Sequence, residues 1–186
     1  MIEFGFRVNG NNGRLEALAR NLSNVTIYGF ELSASAEFEL GSWKVAAQGG
    51  YTWIQATDDN FDNPDPTINT SLNYSSNENF LKYRYRHLWR TDLEVSYQGW
   101  SLGGNVRFNS FMVNIDQQFN GLVVGTSSFR SRYADGDLIA DLRLAKKWKQ
   151  FQFSLFARNA FNRMYLIVPG YLGAPRTIGL AVSFRI

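Results

Sequence analysis

Apolar and polar side chains alternate along most of this chain with a period of two. The last ten residues carry the clearest case. Ile178, Leu180, Val182, Phe184 and Ile186 fall on one side, and Thr177, Gly179, Ala181, Ser183 and Arg185 on the other. Successive side chains of a strand point to opposite faces, so this pattern specifies a β-strand with one apolar face. A slip of one residue would exchange the two faces, which fixes the register strongly.

The same rule works backwards through the sequence. Phe151, Phe153, Leu155 and Ala157 oppose Gln152, Ser154, Phe156 and Arg158. Leu138, Ala140, Leu142 and Leu144 oppose Asp137, Asp141 and Arg143, with Ile139 as an exception. Trp100, Leu102, Val106, Phe108 and Met112 oppose Ser101, Asn105, Arg107 and Asn109. Trp89, Leu93, Val95 and Tyr97 oppose Arg90, Asp92, Glu94 and Ser96. Further upstream, Trp43, Val45, Ala47, Tyr51 and Trp53 share a face. Tyr28, Phe30, Leu32, Phe38 and Leu40 lie against Glu31, Ser33, Ser35 and Glu37. With a weaker strand at 2–8 the pattern predicts about eight strands, each near the ~9–11 residues that a tilted strand needs to cross a bilayer.

A soluble sandwich alternates too, so two further features decide. Tight turns near Gly41, near Gly99 and at Lys147–Gln150 alternate with long polar connections at roughly 9–24, 57–84, 114–136 and 162–175. Short turns on one side and long loops on the other is the layout of outer-membrane barrels. Aromatic residues also gather at strand ends. Trp43, Tyr97, Trp100 and Trp148 flank the short turns, and Tyr28, Trp53, Trp89, Phe111 and Tyr165 mark the opposite ends. Such rings favour the membrane–water boundary. The predicted fold class is all-β, an antiparallel up-and-down set of transmembrane β-barrel strands.

Composition refines this picture. The 186 residues are 45% hydrophobic and 16% aromatic, with a net charge of +3. Mean hydropathy is −0.26, and no run approaches the ~18–20 apolar residues of a membrane helix. Alternating strands average to such a neutral value while keeping one apolar face. The mild charge argues against nucleic acid as a partner, and the absence of Cys removes disulfides and thiol chemistry. The first residues have no basic segment leading into an apolar one. An outer-membrane protein needs such a signal, so the expectation is that it was removed or that Met1 lies partway along a longer protein.

The charges opposite the apolar rows are candidate lumen-facing residues: Glu31, Arg90, Asp92, Glu94, Arg107, Asp141, Arg143 and Arg158. They would form a packed ion network in a small barrel or line a wide watery one. Thr177, Gly179, Val182 and Phe184 fit a polar-x-Gly-x-x-hydrophobic-x-hydrophobic pattern. It resembles the C-terminal signal through which outer-membrane proteins engage the barrel-assembly machinery. Such a strand offers backbone pairing with alternate apolar side chains for specificity.

Several segments resemble the C-terminal third of TonB-dependent receptors, particularly of the Bacteroidetes type. They are Asn24 to Leu32, Gly50 to Trp53, Tyr85 to Trp89, Ala157 to Asn162, Tyr165, and Ala174 to Arg176 before the terminal strand. The resemblance covers nearly the whole chain and keeps the order of segments. It implies the last part of a barrel of about 22 strands. Residues 1–186 would be one partial barrel with the plug domain absent, and the TonB complex would be reached only through that missing plug. It implies import of a scarce nutrient, such as a siderophore, vitamin or glycan, across the outer membrane. Lipid and the assembly machinery would be the other partners, the long loops extracellular and the C-terminus periplasmic.

Two alternatives stay open: a complete eight-stranded outer-membrane barrel with a structural or adhesive role, and a soluble β-barrel that binds a ligand. Enzymatic chemistry is not expected. The single His87 stands alone, and no nucleophile elbow, phosphate loop or zinc motif is present. The acidic run Asp58 to Asp65 has oxygen ligands at alternate positions, but Asn63 and Asn69 replace the Gly and Glu of a calcium loop, so it reads as a solvated turn cluster. No cofactor or metal is expected. Lys146, Lys147 and Lys149 beside Trp148 read as an exposed turn at the periplasmic rim.

Overall fold

A computed structural model describes residues 2–21, 24–62, 73–168 and 170–185. Seven strands form one antiparallel sheet in simple meander order: β3 (Val25–Leu40), β4 (Trp43–Asp58), β5 (His87–Tyr97), β6 (Trp100–Asn109), β7 (Asp137–Trp148), β8 (Phe151–Arg158) and β11 (Thr177–Phe184). The sheet does not close, and β3 and β11 are its edges among the described residues. β3 and β4 reach 16 residues each, longer than the sequence pattern requires of a spanning strand.

The tight turns sit where the sequence placed them. Gly41 takes φ +61 between β3 and β4. Gln98 and Gly99 take φ +46 and +79 between β5 and β6, the paired positive angles of a two-residue hairpin turn whose twist matches the flanking strands. Lys149 takes φ +54 between β7 and β8, without the relief a glycine would give.

The first strand corrects the sequence reading. β1 (Ile2–Val8) does not join the sheet. It pairs with β2 (Leu15–Asn21) in a separate hairpin that occupies most of the expected 9–24 connection. The main sheet therefore has seven strands where eight were expected. The remaining long connections are partly ordered. Residues 110–136 carry α1 (Gln117–Leu122) and α2 (Thr126–Arg132), and a small hairpin joins β9 (Leu166–Val168) to β10 (Tyr171–Leu172).

Register assigns every strand residue to a face. Phe30 lies opposite Trp53, Tyr51 opposite Trp89, Leu93 opposite Gly104, Leu102 opposite Leu144, and Leu155 between Leu144 and Leu180. The rows join into one apolar face across all seven strands, and it is uncovered: Leu180 is 71% exposed, Leu32 62%, and Ile178, Val182 and Phe184 are exposed beside them. Ile186 lies outside the described residues. A soluble monomer rarely exposes more than a few hundred Å² of contiguous apolar surface, and this face extends well past that.

The buried core lies elsewhere. Ala56, Phe80 and Leu81 form it, with Val25, Ile54 and Val113 packed around them. Val25, Ile54 and Ala56 all belong to the opposite, polar face, at its long-loop end. Segments 73–86 and 110–136 fold inward over that end. Ile139, the exception to the alternation, stands on the polar face opposite Arg107 and is 1% exposed.

Candidate functional site: the polar face and its loop roof

All eight charges singled out from the sequence stand on the polar face, because strict pairing carries one parity across the sheet. Arg90 lies directly opposite Arg107, Asp92 opposite Asn105 and then Asp141, and Glu94 opposite Gly103 and then Arg143. The structure brings three of them into one ion group. Arg143 donates through Nη1 and Nη2 to both carboxylate oxygens of Asp92, at 2.9 and 2.8 Å, and through Nε to Glu94 at 3.1 Å. Planar fork geometry makes this the strongest kind of ion contact available to these residues. It spans three strands because Gly103 intervenes: a Cβ there would stand 2.5 Å from Arg143 Nε. The half-open setting keeps the contribution to stability modest.

The other candidates are not drawn into that group. Arg107 donates to the Tyr165 hydroxyl at 3.1 Å, and Asp141 accepts the Asn159 backbone N–H at 2.7 Å. Arg158 lies over the Phe156 ring, which in turn covers Gly179, where any Cβ would collide with it. Glu31 is exposed near the β3 edge. In the middle of this face a depression of about 700 Å³ is lined by Ser35, Gln48, Arg90, Asn105, Arg107 and Asp141, among others. Its walls supply hydrogen-bond donors, acceptors and fixed charges of both signs.

The loop roof is held by polar contacts of long sequence separation. Buried Asn114 donates to the carbonyls of Glu78 and Phe80, both at 2.7 Å, and accepts from the backbone N–H and hydroxyl of Ser76, both at 2.9 Å. One side chain thus satisfies four partners, the condition under which a buried amide is tolerated. Asp116 accepts from Lys82 at 2.5 Å and from the Tyr83 hydroxyl at 2.8 Å, and Lys82 also meets Glu3 at 3.3 Å. Burial, then the bond to Asp116, pushes the Tyr83 hydroxyl well above its usual pKa. Burial lowers that of Arg130, which lies over Phe111 and donates to the Val113 carbonyl. The β1–β2 hairpin docks on this layer through Asn73, which exchanges bonds with the Phe6 backbone at 2.8 and 3.0 Å, and through Phe6 against Phe119.

Two aromatic assignments change. Tyr165 and Phe111 were placed at the strand ends as boundary residues. Tyr165 instead lies over Gly173 with its hydroxyl on Arg107, and Phe111 packs beneath Arg130 inside the roof. Asn114 was missed altogether, since a lone Asn in an irregular loop gives no sequence signal. The boundary aromatics near the short turns do gather on the apolar face: Trp43 stacks on Tyr97 at 4.4 Å, and Trp100 is Tyr97's register partner. His87 is on the same face, with Nδ1 2.7 Å from the Tyr51 hydroxyl.

Among the described residues no cluster of His, Cys, Asp or Glu suits a metal ion. Asp58 accepts from the Tyr74 hydroxyl at 2.6 Å and the Asn60 N–H at 3.1 Å, and Asp59 from Thr26 at 2.7 Å. Asn63, Asp65 and Asn69 of that run lie outside the described residues. No helix is long and apolar enough to cross a membrane, which says nothing of strands.

The sheet, its uncovered apolar face and its inward loops agree with the sequence comparison, in which the family described as TonB dependent receptor-like, beta-barrel matches residues 1–162. The chain belongs to the TonB-dependent receptor β-barrel family. That membership makes it an outer-membrane β-barrel protein. Among solved structures, the outer membrane transporter YddB from Escherichia coli has a similar fold, with a TM-score of 0.55 and 14% sequence identity over 98% of this chain. The chain spans 28% of the length of that structure, which fits an open sheet that is one part of a larger barrel wall. No curated protein sequence matches.

Proposed function

We propose that these 186 residues are one stretch of the wall of a TonB-dependent importer, with lipid on the apolar face and the transport lumen on the polar face. The observation that carries the reading is the uncovered apolar face of seven strands, set back to back with a charged face whose apolar core, among the described residues, lies under inward loops. In this reading Glu31, Arg90, Asp92, Glu94, Arg107, Asp141, Arg143 and Arg158 line the lumen. The Asn114-centred roof narrows the outer mouth, and Tyr165 and Arg107 stand where cargo would pass. A plug supplied from outside these residues would fill the lumen and carry the contact with the TonB complex. The long loops would face the exterior and the short turns the periplasm. Thr177, Gly179, Val182 and Phe184 would present the closing strand to the barrel-assembly machinery. The cargo is a scarce nutrient such as a siderophore, vitamin or glycan.

Import is the part to test. Cells dependent on the receptor should accumulate one labelled nutrient of these classes, and the accumulation should stop on dissipating the inner-membrane proton gradient or deleting TonB. Accumulation that survives both treatments would identify a passive pore instead. A closed eight-stranded barrel finds no support in a sheet whose edges β3 and β11 stay apart. A soluble binding barrel would need its apolar rows turned inward, whereas they are the uncovered ones.

A further inference from the structure

Lys146 is the only charged side chain on the apolar face of the seven strands among the described residues, standing between Trp100 and Phe153 in the register. Its ammonium lies 4.7 Å above the centre of the Trp100 ring and donates to the Gln98 carbonyl at 3.1 Å, bent toward the short-turn rim. Lys149 lies 5.5 Å over Trp148 on the same rim. Neither lysine meets a carboxylate among the described residues. The sequence leaves none nearby: residues 142–186 contain no Asp or Glu, and neither do residues 95–115. The β3–β4 turn differs, because Lys44 there is paired with Glu39 at 2.5 Å.

A cation on a lipid-covered face is costly unless it reaches the interface, where it meets headgroups. Here Lys146 and Lys149 both stand at the depth of the Trp girdle with no carboxylate on either among the described residues, and each ammonium lies over an aromatic ring. We propose that this rim is a binding site for the phosphate of an anionic phospholipid, with Lys146 and Lys149 as its contacts. The site rests on the apolar face lying in lipid. Selection follows from charge, since each lysine near an anionic surface favours association about fivefold.

The experiment uses the receptor as purified from outer membranes, reconstituted in vesicles of phosphatidylcholine and phosphatidylglycerol in which one lipid at a time is brominated to quench tryptophan. Brominated phosphatidylglycerol should quench more than brominated phosphatidylcholine at equal mole fraction. The difference should vanish in K146Q/K149Q and persist in K146R/K149R, which keeps the charge. Equal quenching by the two lipids in the native protein would overturn the headgroup site while leaving the membrane reading intact, and so would a preference that survives K146Q/K149Q. No quenching by either lipid would overturn both.

Discussion

Leu155 and Ser154 are neighbours on β8 with opposite fates, and an arginine at each separates the account from its rivals. Leu155 sits in the apolar row between Leu144 and Leu180 and is 47% exposed. It lies four residues from Phe151 at the short-turn rim, which at ~3.3 Å per residue is about 13 Å along the strand. At a tilt of about 40° that is roughly 10 Å of depth, close to the middle of a ~25 Å apolar band. An arginine near the midplane costs about 2–4 kcal/mol, a factor of about 30 to 1,000 in the folded-to-unfolded ratio. Ser154 faces the charged side, where a further arginine meets water and should cost under about 0.5 kcal/mol. Denaturant titration of the receptor refolded into phospholipid vesicles should therefore show L155R strongly destabilised and S154R close to native. Equal effects, or a larger effect at Ser154, would refute the assignment of faces.

G179A should displace the Phe156 ring and weaken docking of β11 on β8, seen as less of the compact, heat-modifiable form on electrophoresis. G179A/F156A should recover it, unless assembly depends on the glycine itself. N114A leaves the buried Phe80 carbonyl and the partly buried Glu78 carbonyl and Ser76 N–H without their partner, at about 1–3 kcal/mol. Limited proteolysis should then cut within 73–86, while the sheet remains protected. Tyr83 has its folded pKa raised above the usual 10, so its contribution is fully present below pH 10 and lost as pH rises through the folded value. Phenolate absorbance should report Tyr83 ionising after the exposed tyrosines, with loop cleavage appearing in the same pH range and not before.

The sheet was legible in the sequence because period two both identifies a strand and assigns its faces. Ile178, Leu180, Val182 and Phe184 needed no partner to be placed, and all eight polar-face charges followed from parity alone. Their pairings were not legible. That Arg143 reaches Asp92 and Glu94 depends on a register spanning three strands and on the missing side chain of Gly103. The roof was invisible for the same reason, since Asn114 meets partners 34 to 38 residues away. The β1–β2 hairpin escaped notice because its residues serve a loop layer with no continuous apolar row to mark them.

Which face of β11 meets lipid decides whether this sheet is a membrane wall. Spin labels placed one at a time from 178 to 183 in the reconstituted receptor, with relaxation by oxygen and by a water-soluble nickel chelate, measure this directly. Labels at 178, 180 and 182 should respond to oxygen, and those at 179, 181 and 183 to the chelate. The reverse alternation, or none, would contradict a membrane wall.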